Sequence, residues 1–237
     1  MSCNLEQTPT TQGENAPAAD LLKQAGAFTR DNDDAGLLRY LQHEWAPWEL
    51  ADLLDGDDSV VAWVAAYCLG AMGGPAAAAP LIRALQHEDS AVASSAEDAL
   101  WRISFDRAGV PMRRKLMQAA DLAAQGRPEA AIATLDDIIE REPGFAEAYN
   151  QRAIVRYLMD DLIGSIADAK RAVKLDASHF GALASMGHAH AEPGQLQEAL
   201  VCYRRALEIQ PRMEGLRESI EKIQAVQHRR PIVLCVD

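Results

Sequence analysis

The chain has 237 residues, of which 49% are hydrophobic and 24% are charged, and this composition predicts a folded protein of one or two domains. Its net charge of −12 disfavours a nucleic-acid partner, because phosphate backbones are bound by a positive field. No apolar run approaches the ~18 residues needed to cross a bilayer, so the sequence predicts no membrane partner either.

The charge is unevenly distributed between two halves of the chain. Residues 1–111 hold 6 Lys+Arg against 17 Asp+Glu, a net charge of −11, while residues 112–237 hold 17 against 18, a net charge of −1. All four tryptophans also lie in the first half. Two halves of such different composition predict two modules.

The first residues predict an unfolded leader over 1–17. They are rich in Thr, Gln, Asn and Pro, a composition typical of disorder. They lack the basic and apolar regions of a secretory signal, which favours a cytoplasmic location. No two of the four cysteines are close enough in sequence to form a CxxC motif. We therefore expect buried thiols rather than a metal site or a disulfide framework. No motif for a cofactor is evident.

Residues 18–108 predict helical hairpins that repeat every 31 residues. An Asp-Ser pair that can cap a helix recurs at Asp58 and Asp89, and a Gly-Pro-rich turn follows the first such helix. The apolar positions related by this offset are Leu50 and Leu81, Leu54 and Leu85, Val61 and Val92, Ala65 and Ala96, and Leu69 and Leu100. Over residues 35–108 this pattern resembles the short HEAT-like repeats of bilin lyases. A helical segment at 18–30 matches poorly, and residues 105–111 are predicted to join the two modules.

Residues 112–228 predict a second repeat type with a period of 34. Small residues recur where paired helices cross, larger apolar residues recur where the second helix meets the next unit, and proline closes two of the three units. The aligned sets are Ala119, Ala153 and Gly187; Ala131, Ser165 and Ala199; Leu135, Ala169 and Tyr203; Ile138, Ala172 and Ala206; and Pro143, Ala177 and Pro211. This pattern is similar to the tetratricopeptide repeat (TPR), with repeats at about 112–145, 146–179 and 180–213.

An amphipathic segment at 214–227 is predicted to cap the array, because Leu216, Ile220 and Ile223 share one face. The tail at 229–237 is apolar and could form a strand, occupy a groove or stay unfolded. The predicted fold is therefore all-α: a right-handed helical-hairpin solenoid of HEAT-like repeats, followed by three TPR repeats and a capping helix.

Two His-Glu pairs, at His43 and His87, raise an enzymatic alternative. An iron hydroxylase with HEAT-like repeats binds metal through four such pairs at equivalent repeat positions. Here the two pairs are 44 residues apart rather than 31, so they are not equivalent, and we predict no metal site and no catalytic residue. A bilin lyase-like or metal-dependent activity in the N-terminal half is the alternative function.

The resemblance to TPR proteins implies a partner-binding groove lined by the first helix of each pair. The residues predicted to line it are Arg113, Leu116, Glu147, Asn150, Ile154, Tyr157 and His188. One TPR subclass binds chaperone C-terminal carboxylates through a clamp of Lys, Asn and Arg, but the matching positions here are Leu116, Ala120, Gln151, Gly181 and Ser185. The leading hypothesis is a non-catalytic scaffold that binds a protein or peptide through this groove, through the acidic N-terminal surface, or both. Self-association is a further option.

Overall fold

The computed structural model describes residues 16–229, and every regular element in that range is a helix. The all-α fold class predicted from the sequence is therefore confirmed. The helices are α1 (Ala16–Asp31), α2 (Asp34–Glu44), α3 (Pro47–Leu54), α4 (Ser59–Met72), α5 (Pro75–Ala84), α6 (Ser90–Asp106), α7 (Gly109–Ala124), α8 (Pro128–Arg141), α9 (Ala146–Leu158), α10 (Leu162–Leu175), α11 (Phe180–Ala191), α12 (Leu196–Ile209) and α13 (Glu214–Arg229). None of these helices is long and apolar enough to span a membrane.

The chain divides into two compact units between Ala99 and Leu100. We call the described residues 16–99 the N-terminal unit and residues 100–229 the C-terminal unit. The division lies inside α6, five residues before the start of the junction predicted at 105–111. Helix α6 ends at Asp106 and α7 begins at Gly109, whose φ of 79° is left-handed; the two predicted modules and their bounds stay a prediction.

The N-terminal unit is built from helices whose starts are fixed by aspartate caps. The Asp58 carboxylate accepts from the backbone N–H groups of Val60 and Val61, and the Asp89 carboxylate accepts from that of Ala91. Such bonds satisfy amide groups that have no partner within the helix. Between α4 and α5 the chain reverses through two left-handed glycines, with φ values of 67° and 82°.

The core of the N-terminal unit contains the residues that recur at the 31-residue offset. Leu50 and Leu81 are fully buried, as is Leu85, and its equivalent Leu54 is 1% exposed. Equivalent alanines on α4 and α6 are also buried. The predicted periodicity thus marks the faces that the helices bury against one another. The poorly matching segment at 18–30 is α1. The predicted leader lies almost wholly outside the described residues.

The C-terminal unit contains three antiparallel helix pairs, α7/α8, α9/α10 and α11/α12. The second helices begin 34 residues apart, at Pro128, Leu162 and Leu196. The residue two positions before each second helix has a left-handed backbone, with φ values of 72° at Gly126, 63° at Asp160 and 81° at Gly194. The backbone conformation therefore repeats with the predicted period of 34. It does so even at Asp160, where the other two repeats have glycine.

Small residues allow the paired helices to approach closely. Ala119 is 1% exposed and Ala153 is fully buried, and their equivalent Gly187 is also buried. A Cβ atom on Gly187 would collide with the ring of Tyr203 on the paired helix α12. A large partner residue in the third pair therefore requires glycine at this crossing point.

The helix α13 covers the end of the array. It extends from Glu214 to Arg229, two residues beyond the predicted 214–227. Leu216 and Ile223 are 4% and 8% exposed, as expected for a face that packs on α12. The tail predicted to be apolar lies outside the described residues.

Candidate functional site

The candidate site is the inner face of the C-terminal unit, formed by the first helix of each pair, α7, α9 and α11. Neighbouring first helices pack side by side, and stacked pairs of this kind present those helices on a concave surface. Six inner-face positions recur in each repeat, and in the second repeat they are Glu147, Asn150, Gln151, Ile154, Tyr157 and Leu158.

Leu116, which was predicted to line the groove, lies in the hydrophobic core. It is 1% exposed and belongs to a cluster with Leu135, Ile138 and Phe145. An apolar side chain at this position turns into the space between α7, α8 and α9, where it removes more surface from water than it would in the groove. The prediction of Leu116 as a partner contact is therefore wrong.

Glu147 and Asn150 are also buried, each with 1% exposure, and they bond to each other rather than facing solvent. The Glu147 carboxylate accepts from the side-chain amides of Asn150 at 3.3 Å and Gln151 at 2.7 Å. Its second oxygen lies 2.9 Å from Nε2 of His179. The Ser185 hydroxyl lies 3.2 Å from the Asn150 carbonyl oxygen. These five residues tie α9 to α11.

The hydrogen-bond roles within this network follow from the backbone. Nδ1 of His179 accepts from the backbone N–H of Ala182 at 3.1 Å, so this nitrogen carries no hydrogen and the imidazole is neutral with its hydrogen on Nε2. Nε2–H therefore donates to Glu147. The side-chain groups of Glu147 and Asn150 are engaged internally, which makes them positioning residues of the groove wall and not direct partner contacts as predicted.

Trp101 fills one end of the inner face and was not predicted to do so. Its ring packs edge-on against His179 and Phe180, with centroids 6.1 and 5.4 Å apart. A Cβ atom added to Gly181 would lie 2.8 Å from Cη2 of Trp101. The chain's own indole thus covers the start of α11, and the open part of the groove lies toward the C-terminal ends of α7, α9 and α11.

Three large apolar side chains remain exposed on that open part. Met117 on α7 is 59% exposed, and Ile154 and Leu158, one turn apart on α9, are 37% and 68% exposed. Only Ile154 was predicted. Met117 and Leu158 occupy inner-face positions of the 34-residue repeat. Applying the repeat period to every position of the first helices would therefore have predicted both residues on this face.

Polar groups border this apolar surface toward α11 and α12. The Tyr157 hydroxyl donates to the Glu192 carboxylate at 2.8 Å, and this bond raises the pKa of Tyr157. Nδ1 of His188 lies 2.9 Å from the Tyr203 hydroxyl, and the rings are 5.2 Å apart. Desolvation on the packed side of His188 lowers the pKa of its imidazole, which favours the neutral ring at pH 7. Tyr157 and His188 thus lie on the predicted face.

Arg113, the cation predicted to line the groove, is neutralised within the chain. One of its guanidinium nitrogens lies 2.6 Å from Asp106, and both side chains are about two-fifths exposed. At the inner-face positions of the described repeats, Arg113 is the single Lys or Arg. The groove therefore offers apolar area, neutral hydrogen-bonding groups and the Glu192 carboxylate rather than a positive field.

The His-Glu pairs of the N-terminal unit have a simple local arrangement. Nδ1 of His43 lies 2.7 Å from its own neighbour Glu44, and both side chains are more than half exposed. Within residues 16–229, no three His, Cys, Asp or Glu side chains are grouped so as to hold a metal ion. A bilin lyase-like or metal-dependent activity stays a prediction.

Comparison with known proteins agrees with the repeat type of the C-terminal unit. Residues 180–213 match the tetratricopeptide repeat family model. A TPR repeat-containing protein of Rhizobium etli is 30% identical over 123 residues, which are 52% of this chain and 60% of that protein. The small glutamine-rich tetratricopeptide repeat-containing protein 2 of Mycosarcoma maydis is 29% identical over 117 residues, 46% of this chain and 33% of that protein. The chain thus spans less than two thirds of the length of either relative.

Among solved structures, the first TPR of Spaghetti (RPAP3) bound to an HSP90 peptide aligns with a TM-score of 0.48 at 21% identity. The alignment covers 49% of this chain and 93% of that one.

The family match covers one helix pair of the C-terminal unit: residues 180–213, which form α11 and α12, match the tetratricopeptide repeat. The pairs α7/α8 and α9/α10 repeat the same backbone arrangement with a period of 34 residues. Modules of this class generally mediate protein–protein interactions through their concave face. The HEAT-like resemblance of the N-terminal unit stays a prediction.

Proposed function

We propose that this protein is a non-catalytic adaptor whose TPR groove binds an apolar, uncharged segment of a partner protein. The observation that carries the proposal is the exposure of Met117, Ile154 and Leu158 on the inner face. Apolar side chains exposed on one face favour binding, because covering them with a partner removes them from water. Tyr157 and His188 supply hydrogen-bonding groups at its edge.

The chemistry of the groove argues against an acidic peptide tail as the ligand. A carboxylate needs cationic or multiple N–H donors in the groove, and Arg113 is already paired with Asp106. The positions of the carboxylate clamp hold Leu116, Gly181 and other uncharged residues. We therefore expect the preferred ligand to present side chains such as Leu, Met or Phe and to tolerate salt.

The buried polar network gives the groove a fixed shape. Because Glu147 and His179 satisfy each other between α9 and α11, these helices keep one spacing without a ligand. Preorganisation of this kind lowers the ordering cost of binding.

We place the protein in the cytoplasm, which is supported by Cys68 and Cys202 being free, buried thiols.

Selection of peptides from a random displayed library on the full-length protein tests the proposal. We expect the selected peptides to be apolar and to lack a required acidic terminus. Replacing Leu158 or Met117 by Ser should weaken the best peptide by roughly tenfold each, the effect of losing about 1.4 kcal/mol of contact.

The matched control is Val201→Ser, which removes an equally apolar side chain that is 56% exposed on the second helix α12. This variant should bind the peptide as the wild type does. Selected peptides that carry acidic termini, or peptides whose affinity is unchanged in Leu158→Ser and reduced in Val201→Ser, would overturn the groove assignment.

A further inference from the structure

Helix α4 of the N-terminal unit carries an exposed apolar face. Its fourteen residues, SVVAWVAAYCLGAM, contain no charge. One side is buried, but Val60 is 60% exposed and Trp63 is 46% exposed, and Tyr67 follows one turn later, partly exposed. We call Val60, Trp63 and Tyr67 the α4 face. A tryptophan half open to water beside a second exposed hydrophobe is a feature of interaction surfaces.

The surroundings of the α4 face are strongly acidic. Residues 16–99 contain 4 Lys+Arg and 14 Asp+Glu, which gives a net charge of −10. No Lys or Arg occurs between Arg39 and Arg83, and Arg83 is paired with Asp55 at 2.8 Å. The apolar face therefore belongs to a net negative unit, whose other cations, Lys23, Arg30 and Arg39, lie on α1 and α2.

Carboxylates lie at the borders of the face itself. Asp57 and Asp58 directly precede the helix, so they lie at the Val60 end. The Ser95 hydroxyl donates to the backbone carbonyl of Trp63 at 3.2 Å, which places α6 beside this part of α4. Asp98 is exposed one turn further along α6.

We propose that the α4 face binds a basic amphipathic segment of another protein, through a site separate from the TPR groove. The apolar side of such a segment would cover Val60 and Trp63. Its Lys or Arg side chains would pair with the bordering carboxylates and lie over the indole, which attracts cations. A second copy of this chain fits less well, because two units of charge −10 repel each other.

A labelled synthetic helix of leucine and lysine with one apolar face is the probe for this proposal. Its affinity for the full-length protein is measured by fluorescence anisotropy at two salt concentrations. We expect Trp63→Ala to weaken binding about tenfold, which is typical of a central aromatic contact, and Asp98→Lys to weaken it and to reduce its salt dependence. A scrambled peptide of the same composition should bind at least tenfold more weakly.

The controls separate this site from the groove and from misfolding. Leu158→Ser, the groove variant, should leave binding of the Leu/Lys helix unchanged, so failure of one proposal does not imply failure of the other. Trp63→Phe should retain most of the affinity if an aromatic contact is the cause, and thermal unfolding of each variant reports its folding.

Equal binding of the scrambled peptide would show charge attraction without a docking face and would overturn the proposal. An unchanged affinity in Trp63→Ala would overturn it as well. A concentration-dependent dimer in light scattering that Trp63→Ala abolishes would assign the face to self-association instead.

Discussion

The hydroxyl of Ser165 gives the sharpest prediction about stability. Ser165 is fully buried on α10, and its Oγ has no hydrogen-bond partner within the described part of the chain. The equivalent positions in the other two repeats are the fully buried alanines Ala131 and Ala199. We expect Ser165→Ala to stabilise the protein, because it removes a buried polar group without a partner.

The magnitude follows from three contributions. An unsatisfied buried hydroxyl costs about 1–3 kcal/mol, and alanine is a better helix former than serine by up to about 0.5 kcal/mol. Loss of one oxygen's dispersion contacts offsets a few tenths of a kcal/mol. The net gain in the free energy of unfolding should be about 1–2 kcal/mol. For a chain of this size, each kcal/mol raises the unfolding temperature by about 2–4 °C.

Urea unfolding followed by circular dichroism measures this change, with a separate transition fitted for each unit where two are resolved. Ser185→Ala is the matched control with the opposite sign. Its hydroxyl lies 3.2 Å from the Asn150 carbonyl oxygen and 3.0 Å from the backbone carbonyl of Gly181, so its removal leaves buried Asn150 short of a donor. Equal destabilisation by both substitutions would refute the reasoning, because it would show that Ser165 makes a hydrogen bond of similar value.

Three further substitutions test the packing of the repeats by the same unfolding measurement. Asp160→Gly should stabilise by about 1 kcal/mol, because the left-handed backbone costs an L-residue roughly that amount and φ at Asp160 is 63°. Asp168→Asn should destabilise by about 2 kcal/mol, because the carboxylate is 6% exposed, bonds to Arg152 through both oxygens at 2.7 and 2.8 Å and lies 3.2 Å from Arg156. Loss of a buried charged partner is costly, but Arg152 keeps Asp136 as a second partner. Gly187→Ala should destabilise by about 1–2 kcal/mol, because the added methyl group overpacks against Tyr203.

Two of these substitutions, at Asp160 and Asp168, have a matched control. Asp161→Ala, one residue from Asp160, should instead lose about 1 kcal/mol, because Asp161 caps α10 by accepting from the N–H of Gly164 at 2.9 Å. Lys222→Ala removes an ion pair to Glu218 in which both side chains are about two-thirds exposed or more, and it should change stability little. A stabilised Asp161→Ala, or a Lys222→Ala as costly as Asp168→Asn, would contradict the interpretation.

Local periodicity was enough to predict the helical hairpins and their 34-residue spacing. The set Ala119, Ala153 and Gly187 marks the crossing of paired helices, and the structure buries all three. Such positions can be predicted from the sequence because the same contact between paired helices recurs in every repeat and requires a small residue each time.

The interior of the groove could not be predicted in the same way. The bond between His179 and Glu147 joins residues 32 apart, and Trp101 reaches Gly181 across 80 positions of sequence. No repeated pattern encodes either contact, since each occurs once. Leu116 illustrates the same limit, because its register position favours the groove while its apolar side chain packs into the core.

Binding of a partner segment to the exposed apolar side chains of the inner face can be mapped by methyl-labelled NMR of the full-length protein, with the best peptide from the display selection as ligand. We expect the largest chemical-shift changes at the methyl groups of Met117, Ile154 and Leu158, while Val201 on α12 and Ile163 on α10 stay unchanged. Shifts centred on Val201 and Ile163, with the inner-face methyl groups unmoved, would contradict it.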